Sequence, residues 1–208
     1  MPSSTAKTKL TKSTKIVVRL KMNNKFSACV FCGSSNGSNK IYSRAAEELG
    51  TLLANNNVDI VYGGGNTGLM GTLANSALAV GGNVTGVIPN FLQESEVGHP
   101  NLTELIITDN MHDRKRLMYE RADIFISLPG GTGTFDETIE TMTWVQLNIF
   151  NKEIILVDVG AYWEPFLTLV KHGIKEGFIN KKNESLLTLV KSSQQAIDVI
   201  NRVQQQKV

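Results

Sequence analysis

The sequence predicts an α/β fold, a single Rossmann-like domain whose mostly parallel sheet carries helices on both faces, and three observations predict it. From Phe26 onward, short apolar or β-branched runs alternate with segments of helical period. Three glycine-rich turns, "FCGSSNGSN", "YGGGNTGLMG" and "LPGGTGTFDE", each follow a strand-like run. At 208 residues and 41% hydrophobic content, the chain can bury one sizeable core and is short for two. Strands separated by helices of this length pair in parallel through right-handed crossovers, and ligands gather beyond their carboxyl ends. All three turns therefore fall on one edge.

Each element follows from its own pattern. "FSACVFC" (26–32) reads as a strand, and "YSRAAEELGTLLANN" (42–56) as a helix with Ala45, Leu49, Leu52 and Leu53 on one face. "VDIVYGGG" (58–65) is a second strand entering a glycine turn, followed by a helix at 68–81 and strands at 83–89 and 102–108. "MHDRKRLMYERA" (111–122) reads as a helix and "DIFISLPGG" (123–131) as a buried strand bounded by the third turn. A helix through residues 134–150, a strand at 152–159, a helix from Trp163 to about Lys175 and a terminal helix at 192–203 complete the order. No internal repeat or interdomain linker interrupts residues 26–208, which are expected to form the one Rossmann-like domain.

The net charge of +2 is unevenly placed. Residues 1–25 hold seven basic side chains and no acid, which leaves fourteen basic against nineteen acidic groups, about −5, in the rest. A body of that sign argues against a nucleic-acid partner. The Ser/Thr/Lys-rich extension predicts disorder, and can also be read as a weak organelle transit segment, with Met22 as an alternative start. One Arg and no long apolar run argue against a secretory signal, and no stretch approaches the roughly 20 apolar residues of a membrane span. Two cysteines suggest a reducing, cytoplasmic setting without a disulfide framework.

"GGGNTG" (63–68) formally matches the dinucleotide fingerprint, but that motif belongs on the first strand–helix turn and wants an acid about 20 residues on, where this chain has Ile88. Two readings stay open: a tight turn for close helix–sheet packing, or the wall of a mononucleotide pocket built from Gly64 and Gly65 with Gly33 and Ser34 of the first turn. Cys29 and Cys32 form C-x-x-C, yet residues three apart on a strand point to opposite faces, so a core thiol and a small turn residue are expected. His99, His112 and His172 lack metal-ligand spacing, and no metal is expected.

The third turn is the most specific signal. P-G-G-x-G-T-x-x-E packs a proline, three glycines, the Thr134 hydroxyl and the Glu137 carboxylate into nine residues. A phosphate can sit on the N–H groups of Gly131 to Thr134 at a helix start, with Glu137 one turn on, reaching the attached sugar. Glu137 alone could equally be a helix-dipole partner worth about 0.3–1 kcal/mol. Arg114, Lys115 and Arg116 stand on a helix that begins at the ligand edge, where an Arg can fork onto a phosphate or carboxylate.

Taken together, "FCGSS" (31–35), "YGGGNTGLMG" (62–71), "VIP" with Glu96 beyond it, "MHDRK" (111–115), "PGGTGTFDE" (129–137), "TWVQL" (143–147) and "EGFI" (176–179) resemble the Lonely Guy family of cytokinin-activating nucleoside 5'-monophosphate phosphoribohydrolases, long labelled possible lysine decarboxylases. The resemblance implies hydrolysis of the N-glycosidic bond of cytokinin riboside 5'-monophosphates, and of AMP, to free base and ribose 5-phosphate. It implies Arg114 and Glu137 as the catalytic pair, Lys115 with Gly130, Gly131, Thr132, Gly133 and Thr134 around the 5'-phosphate, and Glu96 and Thr143 against substrate. It implies no cofactor, and a homodimer or higher homo-oligomer as the working form. An isoprenoid base would need an apolar pocket completed by Met118, Trp144 or a partner chain. Where the family usually has Leu-Glu-Glu this chain has Phe135-Asp136-Glu137, which keeps the charge and shortens one side chain. A non-catalytic nucleotide carrier or sensor on the same fold is the alternative. A pyridoxal phosphate decarboxylase is poorly supported, since no lysine stands out for a Schiff base.

Overall fold

The computed structural model describes residues 25–93 and 97–206. The basic extension, apart from Lys25, lies outside them, as does Glu96. Seven strands, β1 (Ser27–Phe31), β2 (Asp59–Tyr62), β3 (Val84–Pro89), β4 (Glu104–Thr108), β5 (Ile124–Ser127), β6 (Ile154–Val157) and β7 (Leu187–Val190), form one sheet in the order β4-β3-β2-β1-β5-β6-β7. Every neighbouring pair is parallel. Strand order reverses between β1 and β5, so the crevice outside their carboxyl ends is where a ligand of such a sheet belongs.

The helices are α1 (Lys40–Asn55), α2 (Gly68–Ala79), α3 (Met111–Arg121), α4 (Thr132–Gln146), α5 (Glu164–Lys175) and α6 (Ser193–Gln205). α1, α2 and α6 cover one face of the sheet, through Ala46, Leu49, Leu73 and Ile200, while α3, α4 and α5 cover the other through Met118, Tyr119, Met142 and Val170. Central strands covered on both faces are largely apolar, and β1 is buried at all five positions, with its one polar residue, Ser27, hydrogen-bonded to Asp123 and to the Arg121 carbonyl. Its side chains divide as the strand period requires: Ala28 and Val30 enter the first core, Cys29 and Phe31 the second. Cys32 returns to the first core, so the two cysteines sit on opposite sides of the sheet and both are free thiols.

β7 is the element that sequence pattern missed. Its four residues lie on an edge, directly after a 3-10 stretch at Lys181–Leu186, and "SLLTLV" has neither a turn signal nor the alternation of a longer strand. α4 also differs from expectation, starting at Thr132 and ending at Gln146, because the chain reverses at Asn148 in the left-handed region (φ 57). No helix among the described residues is long and apolar enough to cross a membrane.

α1 and α2 meet at Gly50, where an added Cβ would lie 2.3 Å from the Leu73 carbonyl oxygen and 2.2 Å from Ser76 Oγ. Helix propensity alone would favour alanine there by about 1 kcal/mol. Overpacking against a backbone atom costs about 1–3 kcal/mol and should outweigh it. Gly50→Ala is therefore expected to lower unfolding free energy in urea by up to about 2 kcal/mol. A raised unfolding midpoint would sink this account of the helix contact.

Candidate active site

The three glycine turns meet at the reversal point through backbone hydrogen bonds. Gly33 N donates to Pro129 O at 3.1 Å, and Gly33 O accepts from Leu69 N at 3.0 Å and Met70 N at 3.3 Å. The turn after β1 thereby binds both the turn after β5 and the first turn of α2. The close approach requires glycine at Gly68, where φ is +58 and a Cβ would lie 2.3 Å from the Ser34 carbonyl carbon. Gly130 is equally constrained: a Cβ would fall 2.1 Å from Thr134 Oγ1 and 2.8 Å from Gly33 N.

Between the turns lies a cleft, open to solvent, lined by Gly33 and Ser34, by Gly63 and Met70, by Gly131 to Thr134, and by Arg114 and Glu137. Its floor is α4's amino end. Gly131 is the N-cap and offers no side chain to the first-turn N–H groups, while a Cβ at Gly131 or Gly133 would meet no protein atom. Space, free amides and the positive end of a helix dipole make this an anion site.

Arg114 is only 5% exposed. Its Nε donates to Val87 O at 3.0 Å and its Nη2 to Gly63 O at 2.9 Å, so β3 and the second turn fix the plane of the guanidinium. Glu137, 9% exposed, comes from the second turn of α4. The α4 backbone around it is tied by hydroxyls: Thr138 Oγ1 donates to Thr134 O at 2.7 Å and lies 2.8 Å from Ser127 Oγ, and Thr141 Oγ1 donates to Glu137 O at 3.0 Å. A buried carboxylate and a buried guanidinium thus face one cleft.

Other expected residues fall elsewhere. Lys115 does not line the cleft; its Nζ pairs with Asp136 Oδ2 at 3.1 Å and Glu140 Oε2 at 2.9 Å, bridging α3 to α4. Burial alone would pull its ammonium down, but the hydrogen bonds to Glu140 and Asp136 hold it above its ordinary value. Thr143 is exposed and its Oγ1 donates to Ile139 O at 2.9 Å, within its own helix. Gly64 (φ +81) packs against Val87 and Ile88, and Gly65 bridges to Gly98, so these two serve packing and Gly63 forms the wall. Gly130 sits behind the lining, against Gly33. Met70 was not foreseen, although a residue in the first turn of a helix starting at the ligand edge was a candidate by position. His99 is buried and bonded, with Nε2 3.1 Å from Asn75 Oδ1 and Nδ1 accepting from Asn101 N at 3.2 Å. No group of three potential metal ligands occurs among the described residues.

A family described as possible lysine decarboxylase matches residues 70–200. A cytokinin riboside 5'-monophosphate phosphoribohydrolase of Rhodococcoides fascians is 43% identical over 175 residues, 84% of this chain and 88% of the relative. One of the Arabidopsis thaliana enzymes of that name is 40% identical over 169 residues, 81% of this chain and 79% of its own. Among solved structures, the molybdenum cofactor carrier protein of Chlamydomonas reinhardtii superposes with a TM-score of 0.66 at 18% identity, covering 88% of this chain and 99% of that one. The molybdenum cofactor binding protein of Rippkaea orientalis gives 0.65 at 19% identity, over 86% and 97%. At these identities the structural likeness concerns the fold alone.

Cys32 borders the cleft yet is 7% exposed, and Cys29 is fully buried beneath it. Burial pushes both thiols well up, and the Glu137 charge pushes them further. Neither is expected to react with Ellman's reagent at pH 8 in the folded protein, whereas denaturant should release both. Rapid stoichiometric labelling of the native protein would contradict the burial described.

Proposed function

The chain belongs to the Lonely Guy family, and from that membership we propose that it hydrolyses the N-glycosidic bond of cytokinin riboside 5'-monophosphates, and of AMP, releasing free base and ribose 5-phosphate. The observation that carries the proposal is the placing of Glu137 and Arg114 in one cleft with the amino end of α4. The 5'-phosphate binds the N–H groups of Gly131 to Thr134. A helix rises about 1.5 Å per residue, which sets Glu137 some 6–8 Å beyond them, a span a ribose ring bridges.

Breaking the bond builds positive charge on C1' and the ring oxygen. Glu137 stabilises that charge through the ribose hydroxyls or activates the attacking water. Arg114, held by two backbone carbonyls, binds substrate oxygens and orients Glu137 without having to reorganise as the charge develops. Phosphate binding is remote from the bond broken, so its energy holds the ribose in the reactive position. No cofactor enters this chemistry. Lys115 contributes by joining the helices that carry Arg114 and Glu137.

Large apolar side chains stand exposed on and beside α4 and α5: Ile139, Leu147, Ile149, Leu169 and Phe178, the last at 91%. Such a face supports a homodimer or larger assembly. Two free thiols support a reducing, cytoplasmic location.

The test is to incubate the purified protein with AMP and with isopentenyladenosine 5'-monophosphate and to quantify base and ribose 5-phosphate by chromatography. Both products should appear, and the rate ratio reads base preference; nucleotide bound without product would favour a carrier or sensor. Glu137→Gln should fold and bind nucleotide but lose about 10²–10⁴-fold in kcat, the usual contribution of a positioned acid or base. Near-normal turnover by that variant would remove Glu137 from the mechanism. Nucleosides without the 5'-phosphate should be at least tenfold poorer in kcat/KM, and equal turnover would remove the glycine turn.

A further inference from the structure

Tyr162 lies outside the cleft, behind the third turn, and its phenol O–H donates to the carbonyl oxygen of Gly130. That bond acts on the cleft through peptide geometry. In a planar trans unit the carbonyl of Gly130 and the N–H of Gly131 belong to one rigid group and point in opposite directions. A phenol holding the carbonyl from behind therefore turns the Gly131 N–H forward, toward the cleft that Gly131 lines. The unit sits between two glycines, where either orientation of the plane is sterically cheap, so nothing in the turn itself selects the binding one.

The surroundings of Tyr162 are built to place it. Its ring stacks on Phe135 of α4 (centroids 6.3 Å apart, planes at 23°) and meets the edges of Tyr42 and Trp163 at 5.9 and 5.5 Å. The chain reaching it passes through two successive left-handed residues, Gly160 (φ 64) and Ala161 (φ 59). Left-handed backbone at alanine is disfavoured and persists only where surrounding structure imposes it. Just beyond, Trp163 N donates to the buried Asp158 Oδ1 at 2.6 Å, and Lys191 Nζ holds Asp158 Oδ2 at 2.6 Å, which anchors the turn to β7's end. Phe135 supplies the stacking surface.

We infer that Tyr162 is a positioning residue for the substrate's 5'-phosphate: its hydroxyl locks the Gly130–Gly131 peptide so that the Gly131 N–H is presented to the phosphate before substrate arrives. The inference rests on the reading of the cleft as a nucleoside 5'-monophosphate site. Tyr162 touches no reacting atom, so its loss is felt in phosphate affinity and not in the bond-breaking step.

The experiment compares the wild-type chain with Tyr162→Phe, which keeps every ring contact and removes one hydroxyl. Calorimetric titration with ribose 5-phosphate and steady-state hydrolysis of the nucleotide are measured on both. In the variant, Kd for ribose 5-phosphate and KM for nucleotide should rise together about five- to tenfold, the worth of one net hydrogen bond, with kcat within about twofold. Unchanged Kd and KM, or a loss confined to kcat, would overturn the inference while leaving the hydrolase reading intact. Wild-type protein that neither binds ribose 5-phosphate nor cleaves nucleotide would overturn both. A readout independent of the variant is the amide resonance of Gly131 in the wild-type protein, which should shift strongly when ribose 5-phosphate is added; a resonance that does not move removes the proposed contact.

Discussion

The backbone of Gly33 is the constraint on which the site depends. Its N–H and its carbonyl are both committed, one to Pro129 and the other to the first turn of α2, so a single residue just beyond the central strand fixes three turns relative to one another. Parallel sheets place their loops on one edge but leave their mutual distances to side chains. Here backbone groups set those distances, and the glycines around them are present because atoms approach more closely than a Cβ allows. Sequence motifs far apart in the chain are thereby one physical object.

The same economy explains how a guanidinium is tolerated inside the fold. Burying an ion costs several kcal/mol unless hydrogen bonds replace its hydration. Arg114 recovers part of this from carbonyls at the end of β2 and within β3, groups already exact in position because the sheet holds them. The neighbouring Lys115 is handled differently, between two carboxylates on the adjoining helix. Charges of one sign on consecutive residues thus have separate partners, one set facing the cleft and the other stitching α3 to α4.

Much of this was legible in sequence. Alternating strands and helices implied the layers, and the glycine turns implied the edge, because both follow from local pattern. The residues that stand away from the cleft share a geometry. Consecutive helical residues diverge by about 100°, so Arg114 and Lys115 leave α3 in different directions, one toward the cleft and the other toward Asp136 and Glu140. Asp136 diverges from Glu137 in the same way and meets Lys115. Thr143 stands six residues beyond Glu137, about 240° round the helix, and accordingly faces out. Gly64 and Gly65 look like Gly63 on paper, and only the approach of β3 decides which one forms the wall. β7 escaped because a four-residue edge strand carries too little pattern to separate it from a helix. Tyr162 had no signal at all, since its role lies in one hydroxyl meeting a carbonyl 32 positions away.

The strand order also has a consequence for the chain as it is made. β1 is the central strand and the earliest synthesised of the seven described, and its partner on one side, β5, lies 96 residues downstream, the separation of the Ser27–Asp123 contact. At the usual pace of translation, about 5–20 residues per second, β1 waits roughly 5–20 seconds for that neighbour. During the interval α1, α2 and β2 to β4 can assemble against it, but one row of its backbone groups stays open beside Ala28 to Phe31, an apolar edge of the kind that pairs with any free strand. Arg114 therefore emerges into a cavity whose other wall does not yet exist.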